Sequence, residues 1–121
     1  GVAAAATAAA PERVAGLILV TPWDRLENVA AHHYPWLPVR WLLRERYDSA
    51  AHLSGLGKPV WIAVAERDDV VPAELGAALH AGLRGPRQLF VMQGAGHNDW
   101  WVRMDEARWQ AALDFVLGAA Q

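Results

Sequence analysis

Three short, unbroken apolar runs constrain this chain more than any other feature. They are Val14–Val20, Pro59–Ala65 and Gln88–Met92, and patterns of helical period lie between and after them. A run of this length with no polar alternation predicts a strand buried on both faces, which is the environment of a parallel sheet covered by helices. Pro72 suits the first turn of a helix in which Leu75, Ala78, Leu79 and Leu83 recur at helical spacing until Gly85-Pro86 stops it. From Asp105, the positions Trp109, Ala112, Leu113, Val116 and Leu117 follow the same period, with Asp105-Glu106 in the first turn and Gly118 as a stop. Seven of the first ten residues are alanine, which predicts a buried, closely packed helix. Strands alternating with helices imply an α/β layer fold whose parallel strands are joined by crossover helices.

The stretch over 22–57 is too long for a single connection and reads as a small helical, lid-like insert. Within it, Asp24–Ala31 and Val39–Arg46 are the helical candidates, and Tyr34, Trp36, Leu37, Trp41 and Leu42 form an aromatic-rich cluster. That cluster is explained either by packing of the insert onto the sheet or by a pocket wall above the strand ends. No repeat or linker divides the 121 residues, so they are expected to form one domain. Three parallel strands leave two apolar edges bare, and the chain therefore reads as part of a larger domain, prone to self-association through an exposed edge.

Composition narrows the partners. Eleven basic against thirteen acidic residues give a net charge of −2, which does not provide the basic face of a nucleic-acid binder. Cysteine is absent, removing disulfides, thiolate catalysis and cysteine-ligated zinc, and agreeing with a cytoplasmic setting. No apolar run reaches the ~18 residues of a membrane span. The alanine-rich start lacks the positive flank of a signal peptide. His32 and His33 are adjacent, so on a helix they should diverge, and His52 and His80 have no companion at ligand spacing; no metal or cofactor is expected. Gly94-Ala95-Gly96 lacks the third glycine of a dinucleotide loop, where Asp99 would instead repel pyrophosphate.

In open parallel sheets, chemistry gathers in the loops after the carboxyl ends of strands. Two such loops carry ionisable groups: Glu66-Arg67-Asp68-Asp69-Val70-Val71-Pro72 and Gln93-Gly94-Ala95-Gly96-His97-Asn98-Asp99. An acid in the first and a histidine in the second could meet across the crevice, the carboxylate fixing the imidazole tautomer. Asp68 could equally cap the following helix. Asp69, Asp24 and Asp99 are rivals for the acid.

These two loops resemble the acid and histidine loops of the α/β-hydrolase superfamily, in its esterase, lipase and serine-aminopeptidase branch. Ala65 stands where that family's acid loop usually has glycine. The resemblance implies the carboxyl-terminal part of an α/β-hydrolase fold, with Asp68 as triad acid and His97 as general base. Ala15–Trp23 resembles the strand after the nucleophile helix, and Gly1–Ala4 the helix itself. The nucleophile motif G-x-S-x-G is nowhere in the chain, whose serines are Ser49 and Ser54 in the insert. The implied function is that of a serine hydrolase cleaving an ester, thioester or amide, its serine and oxyanion loop lying upstream. Trp23, Trp36, Trp41, Trp100 and Trp101 suggest an apolar acyl substrate. The competing expectation is a non-catalytic α/β module that binds a partner.

Overall fold

A computed structural model describes residues 2–38 and 48–118. The elements run α1 (Val2–Ala9), a short 3₁₀ turn (Pro11–Arg13), β1 (Leu17–Val20), α2 (Leu26–His33), α3 (Ser49–Leu53), β2 (Val60–Ala65), α4 (Ala73–Gly82), β3 (Arg87–Met92), a second 3₁₀ turn (Trp100–Arg103) and α5 (Glu106–Gly118). The helix expected over Val39–Arg46 lies outside the described residues, as do Trp41 and Leu42. None of the described helices is long and apolar enough to cross a membrane.

The strands form one parallel sheet in the order β1-β2-β3, with Leu17 opposite Val60 and Val60 opposite Arg87. Every residue of β2 is buried, as an unbroken apolar strand between two neighbours should be. Its alternate side chains divide between two cores. Trp61, Ala63 and Ala65 join Met92, Met104, Ala112 and Val116 beneath α5. Val60, Ile62 and Val64 join Ala4, Leu53, Leu79 and Leu83 beneath α1, α3 and α4. The period of two along β2 thus builds a three-layer α/β/α arrangement.

Burial departs from the sequence expectation in four elements. β1 begins at Leu17, not Val14, and its four residues are only half-buried; β3 is partly exposed. Among the described residues, each of these strands has a neighbour on one side only, which leaves its other flank unpaired. In α1 only Ala4 and Thr7 are buried among the residues whose side chains are described, and Ala3, Ala6, Ala8 and Ala9 are exposed, because one face alone meets the sheet. In α5 the buried positions are Ala112 and Val116, whereas Trp109, Leu113 and Leu117 remain 37%, 42% and 53% exposed.

Gly16, inside the first apolar run, ends the approach to β1. A Cβ there would lie 2.8 Å from the Pro59 carbonyl oxygen and 2.9 Å from Val116 Cβ, neither of which can swing aside. Gly16→Ala is therefore expected to destabilise the fold by about 1–3 kcal/mol, the usual cost of overpacking. Urea unfolding at equilibrium measures it, and an unchanged midpoint would show that β1 and α5 can separate freely.

The insert is closed at its neck. Arg25 Nε lies 3.2 Å from Asp48 Oδ2, and the Ala50 N–H donates to the Asp24 carbonyl at 3.2 Å. Asp48 also caps α3, an unanticipated element, by accepting the Ala51 N–H at 2.9 Å.

Candidate active site

The ends of β2 and β3 bring the two ionisable loops side by side. The Glu66 N–H donates to the Met92 carbonyl at 3.2 Å and the Arg67 N–H to the Ala95 carbonyl at 2.8 Å, so the pairing of the strands continues into their loops. Asp68 and His97 follow directly, and His97 Nδ1–H donates to Asp68 Oδ2 at 2.9 Å. A carboxylate can only accept, which places the proton on Nδ1.

Of the two tasks open to it in the sequence, Asp68 meets the imidazole but does not cap α4, whose N-cap position, Pro72, carries no side-chain cap. Oδ1 accepts the Val70 N–H at 2.9 Å and the Val71 N–H at 2.7 Å, an Asx-type turn that leads the chain towards α4. Oδ2 is thereby left facing the imidazole. The Asp68 side chain is fully buried, while 32% of the His97 side chain is exposed. A buried carboxylate with each oxygen hydrogen-bonded is held in one orientation, and its charge is poorly screened by water. With Nδ1 turned inward, Nε2 is the nitrogen left for a reacting group.

The other acids are occupied elsewhere or turned outward. Asp24 accepts the Arg25 N–H at 2.6 Å and Asn28 Nδ2–H at 2.8 Å, at the start of α2. Asp99 accepts the Gly96 N–H at 2.6 Å, and so shapes the histidine loop without meeting the imidazole edge that Asp68 holds. Asp69 is exposed. Gly94 makes the turn possible with φ of 71°, a left-handed conformation that glycine adopts without penalty.

Two contacts had no sequence signal. Glu66 Oε2 accepts the Gly94 N–H at 2.7 Å, joining the acid loop to the histidine loop. His33 Nε2–H donates to the Val70 carbonyl at 2.8 Å, joining the last turn of α2 to the acid loop. The rings of His32 and His33 do not diverge as adjacent helical residues should; they meet edge-on with centroids 5.1 Å apart. Among the described residues, no group of three His, Asp or Glu side chains converges to hold a metal. At the end of β1, Thr21 has φ of 48° and its N–H donates to the Ala63 carbonyl, turning the chain sharply out of the sheet into the insert. Of the tryptophans, Trp36 and Trp101 are 77% and 58% exposed, whereas Trp100 leans on the core beneath α5.

No family model matches the chain. Two uncharacterized proteins from two strains of Mycobacterium tuberculosis, Rv2307c and MT2364, are each 39% identical to it over 99 residues. The match takes in 82% of this chain and 35% of each relative, so the chain spans about a third of their length. Among solved structures, BpoC of Mycobacterium tuberculosis, provisionally assigned as a non-heme bromoperoxidase, superimposes with a TM-score of 0.64 over 98% of this chain and 63% of its own, at 17% identity.

Proposed function

We propose that this chain, which has the fold of the carboxyl-terminal part of an α/β-hydrolase, supplies the acid and the general base of a serine hydrolase. The serine would be contributed by the part of the longer protein outside these residues. The observation that carries this reading is the 2.9 Å contact between the His97 Nδ1–H and a buried carboxylate whose other oxygen is already saturated by two backbone N–H groups.

In the proposed reaction, Asp68 and His97 act as one unit. As a serine Oγ attacks the carbonyl carbon of an ester, thioester or amide, Nε2 of His97 takes its proton, and the imidazole becomes a cation. Asp68, hydrogen-bonded at Nδ1, stabilises that cation without taking the proton itself. When the tetrahedral intermediate collapses, Nε2–H protonates the leaving group and an acyl-enzyme remains. Water, deprotonated by the same nitrogen, then releases the acid and restores the serine. The substrate class we propose is a small, apolar acyl compound.

An active-site-directed fluorophosphonate tests the assignment. The full-length protein should be labelled on a serine outside this chain, and His97→Ala should slow labelling by at least a thousandfold, because an unassisted serine hydroxyl is a poor nucleophile. Labelling on Ser49 or Ser54, or a rate indifferent to His97→Ala, would overturn the reading. Peroxide-dependent bromide oxidation without labelling would favour the chemistry assigned to the solved neighbour.

A further inference from the structure

The register of β2 and β3 ends at Ala65 opposite Met92, and Asp68 and His97 lie beyond it. Something past the last paired residues must therefore keep the two loops seated on one another. Backbone hydrogen bonds do part of this: the Glu66 N–H donates to the Met92 carbonyl, the Arg67 N–H to the Ala95 carbonyl, and the Ala95 N–H closes the turn on Met92. The turn itself passes through Gly94, whose backbone is left-handed. The Gly94 N–H is taken by Glu66 Oε2 at 2.7 Å, across 28 residues of sequence.

The contacts close a ring. It runs from Glu66 along the backbone to Asp68, across Oδ2 to His97 Nδ1, back through Gly96 and Ala95 to Gly94, and across to Glu66 again. The Arg67 N–H to Ala95 carbonyl bond braces the middle of the ring, and Ala95 is buried. Asp99 holds the Gly96 N–H from the other side. Both glycine amides that flank Ala95 are thus clamped by carboxylates, leaving the loop little freedom ahead of His97.

We propose that Glu66 is a positioning residue: by holding the Gly94 N–H, its carboxylate keeps the histidine loop seated so that His97 Nδ1 stays on Asp68. This rests on the reading of Asp68 and His97 as acid and base, although the strap itself is separable from catalysis. Glu66 touches neither substrate nor the reacting nitrogen. What it supplies is an acceptor of the right reach, and the negative charge is secondary.

Two substitutions in the full-length protein separate reach from charge. Glu66→Gln keeps an acceptor oxygen at the same distance, whereas Glu66→Asp keeps the charge and withdraws the oxygen by one methylene. The readouts are the Nδ1–H resonance of His97 in protein carrying ¹⁵N-labelled histidine, and kcat and KM on a short-chain aryl ester. Glu66→Asp should broaden or lose the Nδ1–H resonance and lower kcat about ten- to hundredfold, as expected for a displaced catalytic group, with KM within about twofold. Glu66→Gln should keep the resonance and most of kcat. The reverse order, or a wild-type resonance in Glu66→Asp, would overturn the proposal. Asp68→Asn in the same background tests the underlying reading separately. If turnover survives it, the catalytic assignment fails, while the resonance in the two Glu66 variants still decides the strap.

Discussion

Replacing Asp68 by asparagine in the full-length protein is expected to lower turnover by about 10⁴-fold, the loss that follows when a Ser-His-Asp triad exchanges its carboxylate for an amide. The size of the effect has two sources. An amide cannot stabilise the imidazolium formed in the transition state, and its NH₂ offers a donor where Nδ1–H needs an acceptor, favouring the wrong tautomer. Shape should survive, because an asparagine oxygen can still accept the N–H groups of Val70 and Val71 that Oδ1 now holds. Asp69→Asn changes the same charge one residue along, at an exposed position outside the turn, and should cost less than about tenfold if it serves only solvation. Steady-state kinetics on both variants, with circular dichroism to confirm folding, decides between them. A crippling Asp69→Asn with a mild Asp68→Asn would refute the assignment. So would loss of turnover in Asp24→Asn alone, since Asp24 is bound to the start of α2.

The second large effect is an absence. The isolated 121-residue chain should hydrolyse a short-chain aryl ester no faster than buffer, and His97→Ala should make no difference to it. A general base has nothing to activate without a nucleophile beside Nε2. Ser49 and Ser54 belong to α3 and its end, and the Ser54 hydroxyl donates back to the Ala51 carbonyl at 2.9 Å. The same sample is expected to self-associate in sedimentation. Among the described residues β1 has a strand on one side only, and Trp109, Leu113 and Leu117 leave an apolar stripe along α5. Turnover that disappears in His97→Ala would mean that this chain holds its own nucleophile. A cooperatively melting monomer would show that its edges are already protected.

Much of the architecture is legible in the residues because it depends on local period. Three apolar runs became three parallel strands in chain order, and Pro72, Gly85 and Asp105 marked where helices begin and end to within a residue or a few. The acid and histidine loops could be located because a parallel sheet places its chemistry after the strand ends, and each loop carried a short, recognisable residue pattern. Choosing Asp68 over its neighbours rested on the family resemblance; which acid meets the imidazole is a matter of side-chain direction, which one-residue spacing does not specify.

Burial is where local pattern falls short. The run before Thr21 has the composition of a fully covered strand, yet β1 is half-buried, because composition cannot say how many neighbours a strand has. The period in α5 marks a helix with an apolar face wider than the sheet can cover, and only docking shows that Ala112 and Val116 point inward while Trp109 points out. Glu66 and His33 are more hidden still. Each bonds to a backbone group at least 28 residues away, and any polar side chain of suitable length could have made that contact. By itself, the sequence determined the alternation of strands and helices and the two loops that carry ionisable groups, since both follow from hydrophobic period and turn chemistry. The tertiary structure alone decided which groups in those loops touch, because a contact of 2.7 Å between Glu66 and Gly94 depends on how two strands are registered and how two turns are aimed.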